Sequence, residues 1–522
     1  MDTKALRQKI LDLAIRGKLV PQDPNDEPAS VLLERIRAEK QQMVKEGKLK
    51  PKDIKNDTII FVGEDNLHYE KFQDGTVKCI EDEIPFEVPE GWCWCRLGSI
   101  SAAIQYGLSN SAKQSGTHRL LRITDIQDGK VDWDTVPFTT VYEAENYLLS
   151  SGDIVFARTG ATVGKSFLIK ELPYPAVYAS YLIRIRLLDG VLPDYIYQFF
   201  SSQCYWEQIT DKSVGVGQPN CNGTSLKELF IPIPPFSEQN RIVPSALSAL
   251  EYVINIELDK ASLLETVTSI KFKILDLAIQ GKLVPQNQND EPASVLLERI
   301  RAEKEELIKA GKIKRDKKES VIFKGDDNSY YEKIGNEVTC IDGEMPFEIP
   351  EMWVWSRLGS LGIWGAGATP SRNIPEYYNG NIPWLKTGDL NDDYITYIPE
   401  NISELALTNT SVRINPKGSV LIAMYGATIG KLGILTFPAT TNQACCACIP
   451  FAGMENRYLF YYLLSQRENF IYRGVGGAQL NISKEKIVST LIPLPPQNEQ
   501  VKILEKIDRL FNLLSTVEQS LN

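Results

Sequence analysis

One stretch of this 522-residue chain is written twice. Residues 10–50 read ILDLAIRGKLVPQDPNDEPASVLLERIRAEKQQMVKEGKLK, and residues 274–314 read ILDLAIQGKLVPQNQNDEPASVLLERIRAEKEELIKAGKIK. Nine of the 41 positions differ, leaving 32 identities. The spacing far exceeds the roughly 20–50 residues of a solenoid repeat. It has the size of a half-protein, so the chain is expected to fold as two similar halves.

The duplication runs beyond the block. CIEDEIPFEVPEGWCWCRLGSI (79–100) returns as CIDGEMPFEIPEMWVWSRLGSL (340–361), and GDIVFARTGATVGK (152–165) as KGSVLIAMYGATIGK (417–431). GVGQPN (215–220) returns as GGAQLN (476–481), and IPIPPFSEQ (231–239) as IPLPPQNEQ (492–500). The stretch from Ile100 to Ile231 is as long as that from Leu361 to Ile492. Each half therefore holds a module of roughly 150 residues, a typical domain size.

These boundaries give five regions: an N-terminal helical region (1–50), a first module (79–236), a helical connector (237–314), a second module (340–497) and a C-terminal helix (498–522). The segments 52–78 and 316–339 find no place in the pattern. The modules read as mixed α/β. Trp92 and Trp94, like Trp353 and Trp355, stand two apart, which predicts one face of a strand. DIVFAR and KSFLI flank a Gly-Ala-Thr turn and predict a strand pair. YLFYYLLSQRENFIY and DYIYQFFSSQCYWEQI carry apolar residues at helical spacing.

Between the modules the pattern becomes a long helix. Ser237 is the expected N-cap, and apolar residues recur from Leu247 through Leu277 in steps of three or four. Gly281 and Pro285 supply the stop. Some 40 residues make a rod of roughly 60 Å, with Pro244 inside it as a potential kink. A second helix, ASVLLERIRAEK, follows in both copies, with Pro28 and Pro292 suited to its first turn. After Gln500 the helical stripe resumes, capped by Asn498, and runs to the end. In the middle, 34 residues separate Gln239 from Ile274; 22 residues follow Gln500 and nine precede Ile10, together three fewer. The second connector is thus split between the two ends of the chain. This circular plan predicts a pseudo-two-fold relation and antiparallel long helices.

Composition narrows the function. A chain that is 43% hydrophobic and 24% charged is ordinary globular protein. No apolar run approaches the ~18 residues of a membrane span, and the start MDTKALRQK shows no secretory h-region. The nine cysteines form no disulfide framework, and they and the two histidines lack metal-site spacing. A reducing cytoplasm is the expected compartment. The net charge of −10 is unlike the basic footprint of nucleic-acid binders, but basic residues can gather on one face; Lys304 to Lys318 holds seven basic and three acidic residues.

Catalytic motifs are wanting. GATVGK followed by Ser166 resembles a phosphate-binding loop, but the pattern needs glycine at Thr159, and Lys431 is followed by Leu432. No Asn/Asp-Pro-Pro-Tyr tetrapeptide, S-adenosylmethionine loop or helicase motif is present. The chain reads as non-catalytic and as needing no cofactor of its own.

Recognition fits better. Two similar, non-identical modules on a rod suit a ligand with two separated sites, as DNA half-sites are. Framework residues should match between modules and reading residues should differ. Gly160-Ala161-Thr162 matches Gly426-Ala427-Thr428, while Arg158-Thr159 becomes Met424-Tyr425. LRITDI (121–126) aligns with LKTGDL (385–390) and keeps a cation at Arg122 and Lys386. Arg, Lys and Thr suit phosphates and base edges. The candidate contacts are Arg122, Thr124, Arg158, Thr159, Lys165, Arg372, Lys386, Thr387, Tyr425 and Lys431. The glycine-rich 215–220 and 476–481 could present backbone N–H groups to phosphates.

PEGWCWCRLGSI, RITDIQDGKVDW, GDIVFARTGATVGK, TPSRNIPEYYNGNIPWLKTGDL and AQLNISKEKIVSTLIPLPPQNEQVKILEKID together resemble the specificity subunit of type I restriction–modification systems, over nearly the whole chain. The first module lacks a counterpart to TPSRNIPEYY, which implies two recognition classes. The resemblance implies two target recognition domains on an α+β framework with long antiparallel helices. Each would read half of a bipartite site in double-stranded DNA. The helices would set the spacer and dock two modification subunits, which bring S-adenosylmethionine; restriction subunits would bring ATP- and Mg-dependent translocation and cleavage. Two other readings are a coiled-coil scaffold with two protein-binding modules and a nucleotide-dependent enzyme.

Overall fold

A computed structural model describes residues 2–127, 129–213, 220–315, 319–474 and 481–521. The chain divides into two compact units, Met1–Lys260 and Ala261–Asn522. The dividing point falls inside one continuous helix, Phe236–Ile279, which contains Pro244. The glycine-rich segments 215–219 and 476–480 and the end of the basic run at 316–318 lie outside the described residues.

The first unit contains a four-stranded antiparallel sheet in the order 166–168, 154–157, 182–187, 101–106. The expected pair around the Gly-Ala-Thr turn is its edge, with Ile154 opposite Leu168. A three-stranded sheet sets 118–121 between 176–178 (parallel) and 138–139 (antiparallel). Strands 93–96 and 230–233 pair separately, so the start of the module lies against its end. The predicted helix DYIYQFFSSQCYWEQI is two, Pro193–Phe199 and Gln203–Lys212, with Ser202 capping the second by accepting from Tyr205 N.

The second unit repeats this plan with additions. Its main sheet has five strands, the fifth being Asp393–Ile395, parallel to Leu432–Leu435. A short helix, Glu404–Asn409, is added as well. Strands 354–357 and 491–494 pair as their counterparts do. YLFYYLLSQRENFIY likewise splits into Asn456–Ser465 and Arg467–Tyr472.

Within each unit, helices from distant parts of the chain lie antiparallel. In the first, Thr3–Ile15 lies along Phe236–Ile279: Arg7 pairs with Glu257, Gln22 donates to Glu238, and Asp26 pairs with Arg241. In the second, the later part of Phe236–Ile279 takes the place of Thr3–Ile15 and lies along Gln497–Leu521: Lys271 pairs with Glu518, Gln286 donates to Glu499, and Asp290 pairs with Lys502. In both units the paired residues are far apart in sequence, by 250 positions for Arg7 and Glu257 and by 247 for Lys271 and Glu518.

Several local expectations are corrected. The long helices begin at Phe236 and Gln497, so Ser237 and Asn498 lie inside the first turn. Pro235 and Pro496 stand at the cap, their carbonyls accepting from Gln239 N and Gln500 N at 3.0 Å each; the fixed φ of proline suits helix entry. Pro28 and Pro292 stand just outside the helices that start at Ala29 and Ala293, with extended backbones. The tryptophans do not share a face. The strands start at Cys93 and Val354, so Trp92 and Trp353 precede them. Trp92 enters the main core beside Tyr195, while Trp94 packs with Phe86 and Phe230 in a separate cluster.

That second cluster explains the unplaced segments. Residues 59–79 and 320–340 each form a three-stranded antiparallel meander. Ile60 and Ile322 point inward onto Trp94 and Trp355. Glu70 and Glu332, also inward, ion-pair with Arg96 and Arg357 at 2.7 Å each. The glutamates are buried and the arginines partly so, so removing an arginine would strand a buried charge.

Candidate nucleic-acid interface

In the first module the chain leaves strand His118–Leu121 at Arg122 and enters a 3-10 turn, Ile123–Asp125. Asp125 accepts from Arg122 N at 2.8 Å and from its guanidinium at 2.6 Å. This pinning holds Arg122 at the mouth of the turn and raises its already high pKa. Thr124 is exposed at the tip. The turn 179–182 lies alongside: Ala179 N donates to Leu121 O, and Arg158 N donates to Tyr181 O. Arg122 and Arg158 therefore flank one short turn.

Arg158 lies over the Tyr106 ring at 4.9 Å, and its buried Nε has no hydrogen-bond partner. Tyr106 is held in turn, its hydroxyl accepting from Gly223 N at 2.8 Å. Stacking orients the planar guanidinium without occupying its hydrogen-bonding fork. Thr159 bridges to Asn220. Lys165 is exposed where the Gly160–Thr162 turn re-enters a strand. That strand disposes of the phosphate-loop resemblance, because such a loop opens a helix.

The second module has the same skeleton. Lys386 leads into the turn Thr387–Asp389, and Asp389 accepts from Lys386 N at 2.8 Å. Asn442 N donates to Leu385 O, and Met424 N to Ala444 O. Tyr425 bridges to Asn481 as Thr159 does to Asn220. Lys431 follows its turn as Lys165 does, each amide donating to the threonine carbonyl three residues back.

The side chains on this common skeleton differ. Met424 is buried where Arg158 is half-exposed, and Tyr425 packs on the core where Thr159 stands. Thr387 aligns with Ile123, so Thr124 and Thr387 occupy neighbouring rather than equivalent positions of their turns. The second module instead carries a three-charge cluster. Glu400 accepts Arg372 Nη1 and Lys386 Nζ, each at 2.6 Å. Arg372 lies over Tyr378 at 4.1 Å and Trp384 at 5.4 Å. The hydrogen bond from Arg372, assisted by Lys386, holds the Glu400 carboxyl below its usual range.

Three residues at these sites were not singled out from sequence: Tyr106, Tyr181 and Glu400. Tyr181 is 63% exposed although it precedes a buried strand, and a lone aromatic among Ala-Ser and Leu-Ile was its only signal. Glu400 carried none. Among the described residues no cluster of three His, Cys, Asp or Glu side chains is placed to hold a metal, and no helix is long and apolar enough to cross a membrane.

The family model for the type I restriction modification DNA specificity domain matches residues 89–268 and again 350–522. The chain belongs to this family. Both copies of the specificity domain contain the skeleton just described, and both meanders fall outside the match. The EcoAI type I restriction enzyme specificity subunit of Escherichia coli is 29% identical, over 97% of this chain and 89% of its own length. The EcoEI specificity subunit of Escherichia coli is 27% identical, over 99% and 90%. Among solved structures, a chain from the assembly and conformational transition of the type I R-M system superposes with a TM-score of 0.53. It is 19% identical and covers 84% of this chain and 94% of that one, which establishes likeness of fold.

Proposed function

We propose that this specificity subunit reads a bipartite site in double-stranded DNA, one module to each half. The observation that supports this most is the matched skeleton with mismatched side chains. Arg122 and Lys386 stand at the same backbone position, while Arg158-Thr159 and Met424-Tyr425 do not offer the same hydrogen bonds. Two readers of one design with different chemistry suit an asymmetric site. Arg and Lys donate to guanine O6/N7 or to phosphates, and Thr to either. Thr124, Lys165 and Lys431 are assigned to the same faces, as are Arg372 and Thr387.

The chain supplies specificity and no chemistry of its own. Two modification subunits dock on the helical regions and carry S-adenosylmethionine; restriction subunits carry ATP and Mg. The equivalent antiparallel helix pairs offer each unit the same surface for such docking. Mapping methylated bases in DNA from cells expressing the full system tests the reading. The expected result is one asymmetric motif of two short half-sites with a fixed unspecified spacer. A contiguous motif, or none, overturns it.

A further inference from the structure

Each meander has an outer face as well as the inner face that covers Trp94 or Trp355. In the first, the strand register sets Phe61, Tyr69 and Cys79 side by side in one row, and Ile59, Lys71 and Val77 in the next. In the second, the rows are Phe323, Tyr331 and Cys340, then Val321, Lys333 and Val338. The two faces agree at five of six positions and exchange Ile for Val at the sixth. Phe61 stacks on Tyr69 and Phe323 on Tyr331, both with ring centroids 5.9 Å apart. Each tyrosine is fixed by its hydroxyl, to Asp65 or Asp327.

Cross-strand pairs of this kind stabilise a sheet only modestly, and a solvent-facing surface does not require them. Phe61, Val77, Phe323 and Val338 are each 40–51% exposed. Neighbouring exposed positions have changed freely between the copies: Val62 is Lys324, Leu67 is Ser329 and Lys78 is Thr339. An exposed, largely apolar face of this kind, carrying one lysine in each copy, marks an interaction surface.

The charge around the patch identifies the kind of partner. Residues 55–83 hold eight acidic and three basic residues, and 319–344 hold seven and two. Arg96 and Lys40 neutralise Glu70 and Asp57, and Arg357 and Lys304 neutralise Glu332 and Glu319, yet each meander keeps an acidic excess. Such a rim repels phosphate and attracts a basic protein surface.

We infer that the outer faces of the two meanders are equivalent docking sites for two copies of one protein that presents apolar side chains ringed by basic ones. This rests on the reading above that the subunit docks two modification subunits, and it assigns part of that docking to segments outside the family's specificity domain. The test titrates the full-length chain with the modification subunit of its own system, following complex mass by sedimentation and Kd by calorimetry. The expected result is two copies bound to the wild type, with binding weakened by salt. Phe61→Asp should weaken one of the two sites at least tenfold, Phe323→Asp the other, and the double variant both. Val77→Asp with Val338→Asp should repeat the effect and decides the matter if the phenylalanine variants melt early. Folded variants that bind two copies as tightly as wild type overturn the docking face and leave the reading of function standing. A wild type that binds no modification subunit overturns that reading itself. Loss of self-association in place of subunit binding assigns the face to a second copy of this chain and overturns the inference.

Discussion

Arg158 and Met424 occupy one backbone position in two modules, the first half-exposed and the second buried in the core of its unit. Each amide donates to the same turn carbonyl, and each carbonyl accepts from the residue after the bridging asparagine, Cys221 N or Ile482 N. The backbone is therefore indifferent to the side chain. Exchanging Arg158-Thr159 for Met-Tyr should leave the melting temperature within a few degrees of wild type. It should change or abolish methylation at one half-site only, a loss of roughly 1–3 kcal/mol in discrimination if a bidentate base contact goes. Equal loss at both halves, measured on variant target DNAs, would reduce Arg158 to a phosphate contact. The difference was legible because the chain contains its own comparison. Glu400 was not, because it meets Arg372 and Lys386 only through the fold, 28 and 14 residues away in sequence.

At the same scale, Glu238 and Glu499 are buried acids, 1% and 2% exposed. Each accepts the indole N–H of a tryptophan, Trp92 at 2.8 Å or Trp353 at 2.9 Å, and a glutamine amide. Burial pushes both carboxyls above their ordinary value of 4.5, against the pull of those donors. A raised acid keeps its proton longer in the folded than in the unfolded state. Between 4.5 and the raised value the folded state binds more protons, so stability falls as pH rises through that window. Urea melts on either side of it should show the fall in wild type and a shallower one in Glu238→Gln/Glu499→Gln. Glu238→Ala should cost about 1–3 kcal/mol by leaving the Trp92 donor unpaired.

The elements reveal which part of the repeat is constrained by packing. Gly17 and Gly281 end their helices at φ +63° and +69°. A methyl group there would lie 2.5 Å from Pro89 Cγ or 2.4 Å from Pro350 Cγ. Gly47 and Gly311 end the next helices at φ +72° and +70°, with open space around them. Gly281→Ala should therefore cost roughly 2–4 kcal/mol, a left-handed alanine plus a clash. Gly311→Ala should cost only the backbone term, about 1–2 kcal/mol, and thermal or urea melts separate the two. The glycines were readable as helix stops, but the prolines they meet were not, since 68 or more residues intervene. The meanders were unreadable for a related reason. Their short strands carry inward charges, Glu70 and Glu332, whose arginine partners lie in the module, so the alternation of apolar and polar residues is broken.

For the whole molecule, the duplication and the split connector could be counted directly from residue numbers, and the antiparallel pairing inside each unit agrees with that count. If the connector sets the distance between half-sites, four residues inserted near Leu258 add about one turn, ~6 Å. At ~3.4 Å per base pair the preferred spacer should lengthen by about two. Methylation mapping of the insertion variant reads this directly, and an unchanged spacer removes the ruler role.

The bond between Trp92 and Glu238 has a further meaning. These residues stand at the entrance and exit of a module, 146 positions apart in sequence and 2.8 Å apart in space, and Trp353 with Glu499 repeats the closure. Everything that distinguishes one reader from the other lies between them. A module is thus a closed cassette whose two ends share a single fastening, and the fastening is the same in both. Evolution or an engineer can exchange the contents of one cassette for another and leave the frame nothing new to learn.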